Sequence, residues 1–140
     1  MSQPTKPLNH TMPDNNEEIQ QLIKEKFGVS PCLWQIHVVR KILKQDCVIT
    51  IAATGLGKSL TYWMPLLFVK HNIVVLVTPL KLLRKQFVDI LAKNMISAIS
   101  MTAANAGNEL FEVCLHDAER SLQLMVLLGH CKMPLLAHDC

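Results

Sequence analysis

No Cys-x-x-Cys pair occurs in these 140 residues, and the five cysteines (Cys32, Cys47, Cys114, Cys131, Cys140) are odd in number. A disulfide framework needs an even set in an oxidising compartment, so this usage favours reducing surroundings. The amino terminus has no apolar stretch of the kind secretion requires. No apolar run reaches the roughly 18 residues that suggest a membrane span. The expectation is a soluble intracellular protein with no membrane partner. Charge of one sign is scarce too, with 14 Lys+Arg against 11 Asp+Glu. So slight an excess speaks to steering and solubility and does not by itself argue for nucleic acid. Internal repeats and low-complexity tracts are also missing. What is present is apolar material, 50% of the chain, enough to fill the core of about one ordinary domain.

Three prolines (Pro4, Pro7, Pro13) and no apolar periodicity mark residues 1–14 as a disordered lead-in. Asp14 or Asn15 can cap a helix from Glu17, with Ile19, Leu22, Ile23, Lys26 and Phe27 at helical spacing and Gly28 as its stop. Ser30-Pro31 predicts a second cap, followed by Ile36, Val39, Ile42 and Leu43 on one face to about Gln45. Cys47–Ala52 is short, apolar and partly β-branched, which predicts a strand buried on both faces. Lys58 to about Phe68 reads as a helix that Pro65 kinks or ends. Ile73–Thr78 predicts a second buried strand. A third helical pattern starts at Pro79 (Leu82, Leu83, Phe87, Ile90, Leu91), and residues 96–102 make a third strand. Strand, helix, strand, helix, strand is the order of an α/β fold: a parallel sheet flanked by helices, here preceded by a helical segment. Beyond Val113 this logic loosens, and Leu122–Leu128 fits neither period.

Between the first strand and its helix stands Ala52-Ala53-Thr54-Gly55-Leu56-Gly57-Lys58-Ser59, a P-loop pattern with alanine in the first position. A loop that wraps backbone N–H groups around phosphate oxygens needs glycine where side chains would collide with the ligand. A helix beginning at Lys58 aims its dipole and free N–H groups at the same anion. Lys58 supplies charge to the β- and γ-phosphates and is the candidate for charge stabilisation in catalysis; the Ser59 hydroxyl is placed for Mg²⁺. The residues therefore predict a site for a nucleoside triphosphate with Mg²⁺, lined by Ala53, Thr54, Gly55, Leu56, Gly57, Lys58 and Ser59. The alternative for such a pattern is an ordinary glycine turn.

Together, Gln35, the loop Ala52–Ser59 with Leu60, Tyr62 and Pro65 after it, and the segment Thr78–Gln86 resemble the first half of a superfamily-2 helicase. The tone is closest to the RecQ-like and DEAD/DEAH-box group. The resemblance implies a partial RecA-like P-loop NTPase domain over residues 15–112, followed by a divergent tail, 113–140. It implies ATP with Mg²⁺ as cofactor and Gln35 as reader of the adenine edge, with Phe27 near the base. It also implies that Thr78, Pro79, Lys81 and Gln86 grip one strand of single-stranded or partly duplex nucleic acid, with DNA favoured over RNA. A nuclear location follows if the parent is a eukaryotic RecQ-like helicase. Lys81, Arg84 and Lys85 place cations at a helix start, which suits phosphates. For Arg84 and Lys85 the solvated face of an amphipathic helix is the favoured reading; for Gln35 an exposed helix position is the alternative.

The chain departs from the group in two places. RecQ-type proteins usually carry an arginine shortly before the adenine-reading glutamine, and here Cys32-Leu33-Trp34 precedes Gln35. Such ATPases also need a pair of carboxylates at the end of a further strand, one for Mg²⁺ and one to activate water. No Asp-Glu pair follows Ser59, although Cys114–Glu119, with Asp117 and Glu119, resembles a scrambled acidic box. The expectation is a helicase piece that binds ATP and nucleic acid without hydrolysis or unwinding by itself. Competing readings are another P-loop protein, such as a nucleotide kinase or GTPase, and an interaction protein with a vestigial loop. His116, His130, Cys131, His138 and Cys140 lack the paired spacing of closed zinc sites, and a tail foreign to the family, as from intron read-through or a frame shift, is a further alternative.

Overall fold

The computed structural model describes residues 10–70, 72–78, 81–102, 107, 112 and 123–128. The chain divides into two compact units, residues 1–72 and 73–140.

The first unit is built on helices. Asn15 caps α1 (Asn16–Phe27) by accepting the Glu17 N–H at 3.0 Å, and Glu17 and Glu18 complement the helix dipole. Gly28 ends it in the left-handed region at φ 74, its N–H returning to the Lys24 carbonyl. The second helix, α2 (Leu33–Leu43), starts later than Ser30-Pro31 predicts. Cys32 is its N-cap, and its N–H is held by the Gln35 side chain at 2.7 Å. A residue three positions inside the helix thus does the work expected of Ser30. After α2 the chain turns at Gln45 (φ 64), and Lys41 meets Asp46 at 3.4 Å.

The third helix, α3 (Leu60–Phe68), carries Pro65 inside it, which leaves the Thr61 carbonyl without its usual donor, and ends three residues beyond. The core of this unit joins Ile19 and Ile23 of α1, Ile36, Val39 and Leu43 of α2, and Leu60, Met64, Leu66 and Phe68 of α3. Burying each such side chain contributes about 1.5–3 kcal/mol before entropy is counted. Phe27 and Trp63 pack with centroids 5.8 Å apart. Residues 10–14, expected within a disordered lead-in, have fixed partners. Thr11 donates its N–H to the Phe68 carbonyl at 2.8 Å, and Arg40 Nη2 holds the Asp14 carbonyl at 2.6 Å.

Cys47–Ala52 is the main correction. These residues form no strand, and Ile49 and Ile51 are 93% and 95% exposed. An apolar β-branched run becomes a strand only where a neighbour completes its ladder, and no described residue does so here.

The second unit contains a three-stranded sheet in the order β1 (Asn72–Val77), β3 (Gln123–Leu128), β2 (Ser97–Met101). The parallel pair β2–β3 runs in register from Ser97 opposite Leu124 to Met101 opposite Leu128. Within the run at 122–128 that fits neither period, Gln123–Leu128 is thus a strand. Helix α4 (Lys81–Lys93) packs on β2 through Arg84, Phe87 and Leu91, at helical spacing. It ends through Met95, whose φ of 55 lets the Ile96 N–H return to the Leu91 carbonyl at 2.9 Å. Among the described residues no helix is long and apolar enough to cross a membrane.

Candidate nucleotide-binding site

Within the first unit, the loop Ala52–Ser59 leads into α3 and is reached from α2 by Gln35. Gly55 and Gly57 take φ of 85 and 72, where a side chain is strained. The helix expected from Lys58 begins at Leu60 instead. Its first turn is overwound: Leu60, Thr61 and Tyr62 donate to the carbonyls of Gly57, Lys58 and Ser59, each at 3.1 Å and each three residues back. Ser59 is the N-cap, and its side chain caps no N–H of that turn.

Gln35 lies 21 residues before Leu56 in sequence yet packs against the loop, only 3% exposed. The alternative of an exposed helix position is therefore excluded. Its Nε2 donates to the Gly57 carbonyl at 2.8 Å and the Leu56 carbonyl at 3.4 Å, while its Oε1 accepts from Cys32. Thr61 donates its hydroxyl to the Lys58 carbonyl at 2.6 Å. In a trans peptide the N–H points opposite to the C=O. Fixing the carbonyls of Leu56, Gly57 and Lys58 therefore turns the N–H groups of Gly57, Lys58 and Ser59 the other way. None of those three N–H groups has a hydrogen-bond partner among the described residues. Three consecutive free donors at a helix start form a nest for an oxyanion.

Lys58 places its ammonium on the loop itself, donating to the Ala52 and Ala53 carbonyls at 2.8 and 2.7 Å. A phosphate oxygen would have to take the place of those carbonyls. The donor set fits a triphosphate: Lys58 for its charge, the nest for an oxyanion, and Ser59 for Mg²⁺. Ala53, Thr54, Gly55, Leu56 and Gly57 are exposed around it. Phe27, expected near the base, packs at a tilt on Trp63.

Thr78, Lys81 and Gln86 belong to the second unit. Thr78 is buried just after β1, Lys81 opens α4, and Gln86 is exposed on that helix. Pro79 lies outside the described residues. Arg84 departs from its expected solvated position. It is 6% exposed, with Nη1 donating to the Met101 carbonyl at 3.2 Å and Nε without a partner. Its long aliphatic stem lets it share the apolar face of α4. Lys85 is exposed, as expected. Asp117, Glu119, His116, His130, Cys131, His138 and Cys140 lie outside the described residues, among which no group of three or more metal-ligating side chains occurs.

The sequence pattern missed Thr61, whose role depends on an atom of its own first turn. Its place two residues after Ser59 is the one clue the sequence offers.

No curated protein matches the chain. The family model described as DEAD/DEAH box helicase matches residues 33–129. That range begins at α2, takes in the loop and α4, and runs through β3. Such domains have the RecA-like α/β fold, and their proteins are ATP-dependent enzymes of nucleic acids. With more than half its length under this one family model, and the Gln35-braced loop inside the matched range, the chain belongs to the DEAD/DEAH box helicase family.

Proposed function

We propose that this chain is the ATP·Mg²⁺-binding and nucleic-acid-binding part of an ATP-dependent DNA helicase of the RecQ-like kind, without hydrolysis or unwinding by itself. The observation that carries the reading is the nest at Gly57–Ser59. Its three unpartnered N–H groups stand beside Lys58 at a helix start, where a triphosphate gains most from fixed donors. In this reading Gln35 offers the adenine edge the remaining lone pair of its Oε1 while continuing to brace the loop.

The nucleic-acid part rests on α4. Lys81 stands at its amino terminus with no acidic residue in the first turn, although a cation there opposes the helix dipole by about 0.3–1 kcal/mol. A phosphate strand passing Thr78, Pro79, Lys81 and Gln86 would relieve that cost. DNA and the RecQ-like kind are favoured by the form of the loop with Leu60, Tyr62 and Pro65. A nuclear location follows for a eukaryotic parent. Turnover is not expected, because no Asp-Glu pair follows Ser59 in these residues, and charge groups of that kind carry much of phosphoryl-transfer catalysis.

The test is nucleotide binding and hydrolysis by the purified chain, with and without single-stranded DNA or RNA. The expected result is Mg²⁺-dependent ATP binding that Lys58→Ala abolishes, binding to the DNA strand in preference to RNA, and no stimulated turnover. Substantial DNA-stimulated hydrolysis would overturn the non-catalytic reading. Nucleotide binding indifferent to Lys58→Ala would overturn the site.

A further inference from the structure

We infer that Thr61 is a positioning residue for nucleotide binding: its buried hydroxyl holds the Lys58 carbonyl and thereby aims the Ser59 N–H into the phosphate nest. The inference rests on the ATP·Mg²⁺ reading of the loop and goes beyond it, because Thr61 lies outside the P-loop pattern and reaches the loop only through the Lys58 carbonyl. Its side chain is 4% exposed, so water cannot substitute for the hydroxyl at that carbonyl.

Two arrangements compete at the start of α3. In an ordinary α-helical turn the Lys58 carbonyl would accept from the Tyr62 N–H, four residues on. Here Tyr62 donates to Ser59, and the Lys58 carbonyl accepts from both the N–H of Thr61, at 3.1 Å, and its hydroxyl, at 2.6 Å. The hydroxyl gives that carbonyl a second donor and so holds it where the three-residue bond has placed it. Passing to the α form rotates the peptide between Lys58 and Ser59. Because that peptide is rigid, the Ser59 N–H swings with the carbonyl. The Gln35 amide fixes the two preceding peptides from the other side, at the Leu56 and Gly57 carbonyls. Thr61 thus fixes the third peptide of the nest, which nothing from α2 reaches. The break at Pro65 accentuates this, since a proline cannot donate to the Thr61 carbonyl and the helix has few α-type bonds to impose its own register.

The experiment compares Thr61→Val, which keeps the shape and removes the donor, with Thr61→Ser, which keeps the donor. Each full chain is titrated with a fluorescent ATP analogue and with inorganic pyrophosphate, both with Mg²⁺, beside the unaltered chain and Lys58→Ala. Losing one aimed hydrogen bond should weaken both ligands by about tenfold in the valine variant and leave the serine variant within about twofold. Equal loss for pyrophosphate places the effect in the phosphate nest and not at the base. If the valine variant fails to give a native circular dichroism spectrum, Thr61→Ala, which adds no volume, takes its place. Valine or alanine binding as tightly as threonine would overturn the inference, as would serine losing as much as valine. An unaltered chain that binds neither ligand would remove the nucleotide reading and this inference with it.

Discussion

At the residue scale, the two loop glycines make unlike demands. Both hold φ values that alanine reaches only at a cost of about 1–2 kcal/mol. A Cβ on Gly55 would meet nothing within 4 Å, whereas one on Gly57 would lie 3.0 Å from Gln35 Nε2. Gly57→Ala should therefore strain the backbone and displace the amide that braces the nest, while Gly55→Ala should strain the backbone only. We expect urea unfolding to show both variants destabilised by about 1–2 kcal/mol, and only Gly57→Ala to lose a further order of magnitude in ATP·Mg²⁺ affinity. Equal affinities in the two variants would mean that the contact with Gln35 is incidental. The glycines and Lys58 were legible in the sequence because the requirement for φ above zero and for charge is written in single letters. The burial of Gln35 was not, because its partners stand on a loop 21 residues away, beyond the reach of helical spacing.

Caps and periodicity made the helices readable at the scale of elements. Asn15 and Gly28 bound α1 where local hydrogen bonds require it, and on α4 the expected Phe87 and Leu91 are buried while Leu82 is exposed. Arg84 takes the buried place instead, since its charge suggested water and its stem found the core. Strands were less readable, for a physical reason: a helix closes its own hydrogen bonds, while a strand borrows a neighbour's. Cys47–Ala52 has the composition of a buried strand and no described partner, so it stays exposed. Gln123–Leu128 lacks a clear period but gains a parallel partner in β2. This difference is open to measurement. With Ile49 and Ile51 almost fully exposed, Ile49→Thr and Ile51→Thr should each change the stability of this chain by no more than about 0.5 kcal/mol in chemical denaturation. Losses of about 1–3 kcal/mol would instead place the segment in a packed sheet.

At the scale of the whole molecule, each unit carries a different part of the proposed task. The first has the braced loop, the second the helix start that suits a phosphate backbone. Both tryptophans of the chain, Trp34 and Trp63, lie in the first unit, on α2 and α3. Tryptophan emission therefore reports the unfolding of the unit that holds the proposed nucleotide site. A ligand that binds only the folded form stabilises it by RT ln(1 + [L]/Kd), about 2.7 kcal/mol at a hundredfold excess over Kd. ATP with Mg²⁺ at that excess should raise the emission-detected denaturation midpoint by the corresponding amount, and Lys58→Ala should erase the rise without altering the midpoint of the free chain by more than about 0.5 kcal/mol. The second condition follows from the position of Lys58: among the described residues its ammonium touches two carbonyls, one of these contacts exposed, so its removal costs the resting fold little. A rise that survives Lys58→Ala would mean that nucleotide stabilises the unit from somewhere other than this loop, and the site assigned to Gln35 and Ala52–Ser59 would have to be given up.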